Sequence, residues 1–140
     1  MAKIAIDATN LILGRLCTYA AKQSLLGSSI EILNCEESVI RGSKENVLNV
    51  YKEKFARGTH AKGPFYYRRP DFFVKRTIRG MLPHKSPRGK AALKQIKCHI
   101  GSPEEFMSLK LKTLGDINIL NRKSTRKAGY IKVKDLCRYL

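Results

Sequence analysis

Acidic residues are scarce in this 140-residue chain: 11 Asp and Glu stand against 28 Lys and Arg, a formal net charge of +17. A compact body with that excess repels itself, and a polyanion relieves the repulsion. Nucleic acid, an anionic membrane and an acidic protein are the candidate partners. Long apolar runs are missing as well. No stretch approaches the roughly 20 residues that a bilayer-spanning helix requires. No N-terminal signal pattern is present, because the chain enters a strand almost at once. Cys17, Cys35, Cys98 and Cys137 are far apart and form no C-x-x-C pair. Buried thiols in a reduced cytosolic compartment are therefore expected in preference to a disulfide framework.

Catalytic signatures are also lacking. A dinucleotide fold needs G-x-G-x-x-G after its first strand, and "DATNLILG" offers only Gly14. The phosphate loop G-x-x-x-x-G-K-[ST] is absent, and Gly89–Lys90 is a lone Gly-Lys pair. His60 and His84 lie in basic loops. Cys98 and His99 are neighbours on an expected strand, so they point to opposite faces and make a poor nucleophile–base pair. No His, Cys or carboxylate grouping has metal-ligand spacing. Glu36–Glu37 follow a strand and Glu104–Glu105 complete a helix cap, so neither pair suits general acid–base work. A metal-dependent nuclease needs clustered carboxylates, and the basic region holds only Glu53 and Asp71. Neither enzyme activity, metal, cofactor nor small-molecule substrate is expected.

What is present reads as one domain, residues 1–140. "KIAID" (3–7) and "SIEILNC" (29–35) read as strands. Between them Leu16, Cys17, Ala20, Ala21, Ser24 and Leu25 fall on one helical face, and Gly27 stops the helix. Asp7, Thr9 and Asn10 are the candidate caps. Strand, helix, strand within about 35 residues implies a parallel pair. "SVIRG" (38–42) is a short extended piece. Ser43 caps a second helix with Val47, Val50, Tyr51 and Phe55 inward, and Gly58 ends it. "GTHAKGPFYYRRP" (58–70) is a long loop, and Pro70 sits at the first position of the next helix. That helix, about 71–81, opposes Lys75, Arg76 and Arg79 to Val74, Thr77, Ile78 and Met81. "LPHKSPRGK" (82–90) breaks it. A short basic helix follows, and "QIKCHI" (95–100) reads as a third strand. "SPEE" (102–105) is a capping box, "YIKV" an edge strand and "KDLCRYL" a terminal helical turn or two. Alternating strands and helices argue an α/β domain with a small, mostly parallel sheet.

Charge is distributed unevenly along this pattern. Residues 1–51 carry five bases and five acids, residues 52–97 fourteen and two, residues 98–140 nine and four. The middle is thus a positively charged working surface. A merely soluble face mixes signs. Here one sign dominates, and arginine, whose planar fork matches phosphate oxygens, recurs at Arg57, Arg68, Arg69, Arg76, Arg79 and Arg88. Phe65, Tyr66, Tyr67 and Phe72 sit beside these charges, placed either to stack on unpaired bases or to pack on the protein. No helix-turn-helix, zipper or finger spacing is present, so DNA-reading architectures are not supported. Basic loops broken by Gly and Pro suit an irregular folded RNA. The apolar face of residues 74–81 is too narrow for membrane binding and is better used in packing.

The segments "IDATNLILGRLCTYAAKQSLLG", "IEILNCEESVIRG" and "RRPDFFVKRTIRGMLPHKSPRGKAALKQIKCHIGSPE" resemble the large-subunit ribosomal protein L13 (uL13) family, from about Ile4 to Glu104 and weakly again at the C-terminus. "RTIRGMLPHKSPRG" is the specific part of the match. "GTHAKGPFYYRRP" is similar to the archaeal and eukaryotic branch, and the compact length points to the archaeal side. The resemblance implies a three-layer α/β/α domain around a four-stranded, mainly parallel sheet. It implies a non-enzymatic constituent of the large ribosomal subunit that binds 23S-type rRNA beside neighbouring ribosomal proteins, in the cytoplasm. Position by position, it implies that Arg68, Arg69, Lys75, Arg76, Arg79, His84, Lys85, Arg88 and Lys90 face rRNA. The basic stretch, about 57–97, adds Arg57, Lys62, Tyr66, Tyr67 and Lys94 to the expected contact set. Cys17, Cys35 and Cys98 depart from the small or apolar residues expected there, and residues 106–128 match no part of the family pattern.

Overall fold

Strand β1 (Lys3–Asp7) lies parallel to β2 (Ser29–Leu33), with Lys3 opposite Ser29 and Asp7 opposite Leu33. Helix α1 (Leu13–Leu25) links them. The architecture is that of a computed structural model, which describes residues 2–106, 111–121 and 129–140. β3 (Val39–Arg41), α2 (Lys44–Ala56), α3 (Pro70–Gly80), α4 (Pro87–Lys94) and β4 (Ile96–Cys98) follow, then β5 (Tyr130–Lys132) and α5 (Val133–Tyr139). β4 pairs in parallel with the other edge of β2, giving the order β1-β2-β4. β3 and β5 form a separate antiparallel ribbon.

Alternation along the strands divides the sheet into two faces. Ile6, Ile30, Ile32 and Ile96 join Leu16, Cys17 and Ala20 of α1, Phe73, Val74 and Ile78 of α3, Ala92 of α4, and Val133 and Leu136 of α5 in one core. Burying a Leu, Ile, Val or Phe side chain stabilises by roughly 1.5–3 kcal/mol, so this cluster fixes where α3 and α4 stand. Small residues set the α1–α4 approach: the buried Ser24 hydroxyl donates to the Ala92 carbonyl at 2.6 Å. On the other face Glu31 is buried, and His99 Nε2 lies 2.7 Å from its carboxylate. Lys97 and Lys3 approach the same carboxylate at 3.7 and 4.0 Å.

The α/β class is as expected, and several details differ. The described residues form a three-stranded parallel sheet instead of four strands. The remaining edge of β1 is met at a point, where the Lys112 amide donates to the Ala5 carbonyl at 2.8 Å. β2 ends at Leu33 because Asn34 turns to φ 51°, which puts Cys35 into a 3-10 turn. None of Asp7, Thr9 or Asn10 caps α1: its N-cap is Ile12. Asp7 instead accepts from Thr9 and from the Asn34 side chain. Val50 faces outward, 49% exposed, while Leu48 packs with Val47 and Tyr51 against the core. α3 ends one residue before Met81, which is 42% exposed and accepts from the Thr18 hydroxyl. The "SPEE" box leads into a 3-10 turn, Glu104–Phe106, and its continuation lies outside the described residues.

Gly89 has a packing reason. Ser86 caps α4 by accepting from the Gly89 amide at 3.1 Å. A Cβ on Gly89 would lie 2.0 Å from the Pro83 carbonyl oxygen. Gly89→Ala is therefore expected to lower stability by about 1–3 kcal/mol, the usual range for overpacking, read as a reduced urea midpoint with an unchanged slope.

All four cysteines are free. Burial pushes the Cys17 thiol up, and contact with Cys98 together with burial does the same for Cys35. Cys137 is pushed up by burial to about 11. Folded values above unfolded ones mean that the stability these thiols contribute is complete below the ordinary thiol value of 9.0 and is lost as pH rises past it. At pH 8 iodoacetamide should spare Cys17 and Cys35 in the folded protein and label them only after denaturation, as peptide mass mapping would report.

Candidate nucleic-acid interface

Pro70 occupies the first position of α3, where its missing N–H costs nothing, and Asp71 in the first turn suits the helix dipole. With Phe73, Val74 and Ile78 inward, Arg79 is exposed and Lys75 and Arg76 lie half-buried at the margin. The preceding loop closes on itself. Thr59 and Gly63 exchange amide-to-carbonyl bonds of 3.3 and 2.8 Å. Gly58 has φ 91°, and a Cβ there would lie 1.9 Å from the Gly63 carbonyl oxygen. The Gly63–Pro64 peptide is cis.

Aromatic rings and arginines fasten this loop to the helices. Tyr66 packs 5.2 Å from Phe55 of α2, and the Arg76 guanidinium lies 4.1 Å from the Tyr66 ring centroid. Arg76 also donates to the Phe65 carbonyl. Tyr67 pairs with Phe72 at 5.2 Å, and Arg69 lies over Phe72 while holding Asp71 at 2.9 Å. Tyr66 thus packs on the protein, whereas Tyr67 remains 53% exposed.

Most of the expected cations are uncompensated. Among the described residues, the side chains of Arg57, Lys62, Arg68, Lys75, Arg79, His84, Lys85, Lys90 and Lys94 meet no acid and no hydrogen-bond acceptor. Arg69 is the member of the set that faces a carboxylate, and Arg88 reaches the Leu25 carbonyl at 3.5 Å.

Two recesses divide part of the set. One, of about 380 Å³, is lined by Arg57, His60, Phe65, Tyr66 and Arg68 among others. The second, of about 240 Å³, is lined by Tyr67, Phe72, Lys75, Arg76 and Arg79 of the α3 side and Leu93 of α4. His84, Lys85, Arg88, Lys90 and Lys94 line neither recess and lie on the α3–α4 turn and on α4. Lys62 is at the exposed tip of the loop.

A basic helix and basic loops on a parallel sheet fit the expected family, and comparison with known proteins decides the matter. The family model described as Ribosomal protein L13 matches residues 2–105. The chain belongs to the ribosomal protein L13 family. It is 41% identical over 135 residues to the large ribosomal subunit protein uL13 of Archaeoglobus fulgidus, covering 96% of this chain and 85% of that one. It is 44% identical over 115 residues to the uL13 of Methanosarcina barkeri, covering 81% and 82%. The uL13 of Methanococcus maripaludis is 38% identical over 141 residues, covering 98% and 96%. These relatives are archaeal, as expected.

His60, Phe65, Phe72 and Lys54 line these clefts and escaped the sequence-derived contact set. Phe65, 62% exposed, lines the first recess. Its signal was its place directly after Gly63–Pro64, where the backbone cannot continue an element. Lys54 of α2 lies 4.8 Å from the Tyr51 ring centroid and lines a cleft with Tyr66, Tyr67 and Arg76. Only tertiary packing brings it there, so no local pattern marks it. Because Arg76 clamps the Phe65–Tyr66 segment, Arg76→Ala should raise amide hydrogen exchange across residues 63–67 at least several-fold while the slow amides of β2 keep their protection.

Proposed function

We propose that the chain is a structural constituent of the large ribosomal subunit that binds and stabilises folded 23S-type rRNA. It would act as a single unit, residues 1–140, supporting subunit assembly and translation in the cytoplasm beside neighbouring ribosomal proteins. The observation that carries this reading is the row of cations on α3, α4 and their flanking loops that lack partners among the described residues, borne by a member of a ribosomal protein family. Among the described residues no helix is long and apolar enough to cross a membrane.

The mechanism is electrostatic and geometric. The sheet and its core hold α3 and α4 in a fixed relation. Arg57, Lys62, Arg68, Arg69, Lys75, Arg79, His84, Lys85, Arg88, Lys90 and Lys94 then neutralise phosphates where RNA segments converge. Arg side chains match phosphate oxygens in pairs, while Lys supplies point charge. Tyr66 and Arg76 have a different part: they position the loop that carries the neighbouring contacts, and Tyr67 offers a ring. No reaction step is required of any of these groups, and the chain is read as a binder instead of an enzyme.

Lys75→Glu with Arg79→Glu tests this directly, since neither side chain holds a described partner and the fold should survive. The variant is expected to keep its circular dichroism spectrum and to lose binding to large-subunit rRNA by at least a hundredfold in filter assays. For the unaltered protein, six to ten phosphate contacts predict an affinity drop of roughly 10³–10⁵ between 50 and 200 mM salt. A shallow salt slope, or full binding by the double variant, would overturn the assignment of this surface.

A further inference from the structure

The recess beside the self-closed loop has the features of a site for one unpaired nucleotide, a finer role than phosphate neutralisation. Its volume, about 380 Å³, lies near the small end of the range for ligand pockets. Phe65, just past the self-closed loop, offers a ring and is 62% exposed. That ring is held in place rather than dangling. The Phe65 carbonyl is fixed by Arg76, and its ring packs so closely over Gly63 that a Cβ there would come within 3.0 Å of it. Arg57 and Arg68 line the same recess, and neither guanidinium has a partner among the described residues. His60 adds an exposed imidazole, and among the described residues no carboxylate lines the recess.

Each feature matches one part of a nucleotide. An aromatic face takes a base, provided the base is out of its stack. Two free guanidinium forks take the flanking phosphates, and an imidazole can bond a sugar hydroxyl or base edge. Paired bases inside a duplex show no face to Phe65, so a regular helix satisfies the arginines and leaves the ring unused. We propose that this recess, formed by Arg57, His60, Phe65 and Arg68 on a floor of Tyr66, captures a single unpaired ribonucleotide from a bulge or loop of the bound RNA. The inference rests on the rRNA-binding reading above and deepens it.

The test compares two short RNA hairpins, identical except that one carries a single bulged nucleotide, binding to the full chain and to Phe65→Ala. An exposed ring is removable without unfolding the protein, which circular dichroism would verify. Unaltered protein should prefer the bulged hairpin. Phe65→Ala should bind the bulged hairpin roughly tenfold more weakly, within the span for loss of one stacked base, and bind the paired hairpin as before. A 4-thiouridine at the bulge should crosslink to the peptide containing Phe65. Equal losses on both hairpins, no loss on either, or a crosslink elsewhere would overturn the pocket while leaving rRNA binding intact. Tight binding of free adenosine monophosphate, with no bulge preference, would overturn it in favour of a free-nucleotide site. Failure of the unaltered protein to bind either hairpin or large-subunit rRNA would remove the underlying reading as well.

Discussion

A cationic surface cannot be shaped by carboxylates without cancelling itself. The described acids with partners are mostly turned to other work. Glu31 gathers His99, Lys97 and Lys3 on the far face of the sheet. Glu36 accepts from the Gly101 amide, and Glu37 accepts from Lys132 and Lys134, which hold its carboxyl below the ordinary range. Asp7 ties Thr9 to Asn34. Of the nominated cations, only Arg69 is answered by an acid among the described residues, Asp71. Two exposed cations about 10 Å apart repel through water by only a few tenths of a kcal/mol, and salt screens them further. The core tolerates each such pair, and the repulsion summed over the surface is of the kind that a polyanion relieves.

Order in the basic region therefore comes from neutral devices. Glycines permit the Gly58–Gly63 closure and the contact of Gly89 with Pro83. Serine caps α4 without adding charge. Aromatic rings replace acids as the partners of cations, most clearly where Arg76 meets Tyr66. An arginine held over a ring keeps its full positive charge, so the loop is anchored and the surface potential is preserved at once.

The parts of this organisation that were legible in the sequence are those set by local rules. α1 follows from its period, α3 from Pro70 and its opposed faces, and the β1–α1–β2 unit from spacing alone. The "RTIRGMLPHKSPRG" motif carried the family. The errors arise where distant parts of the chain decide. Val50, expected inward, is exposed because the ribbon and core, not the helix period, determine which flank of α2 is covered. Asp7 was a plausible cap until Asn34, 27 residues away, claimed its carboxylate. Arg76 looked like its neighbours Lys75 and Arg79, and only the folded loop reveals that it is already engaged. Phe65 was visible as an aromatic among charges, but its recess exists only once residues 57 and 68 are brought together.

The core also has a temporal aspect. Every cation assigned to the interface has been synthesised by the time the chain reaches residue 97, yet Val133 and Leu136, both fully buried, come much later. During translation the cationic region is made before the hydrophobic interior is complete. A growing chain is thus able to touch polyanions while Ile131, Val133 and Leu136 of its own centre are still missing.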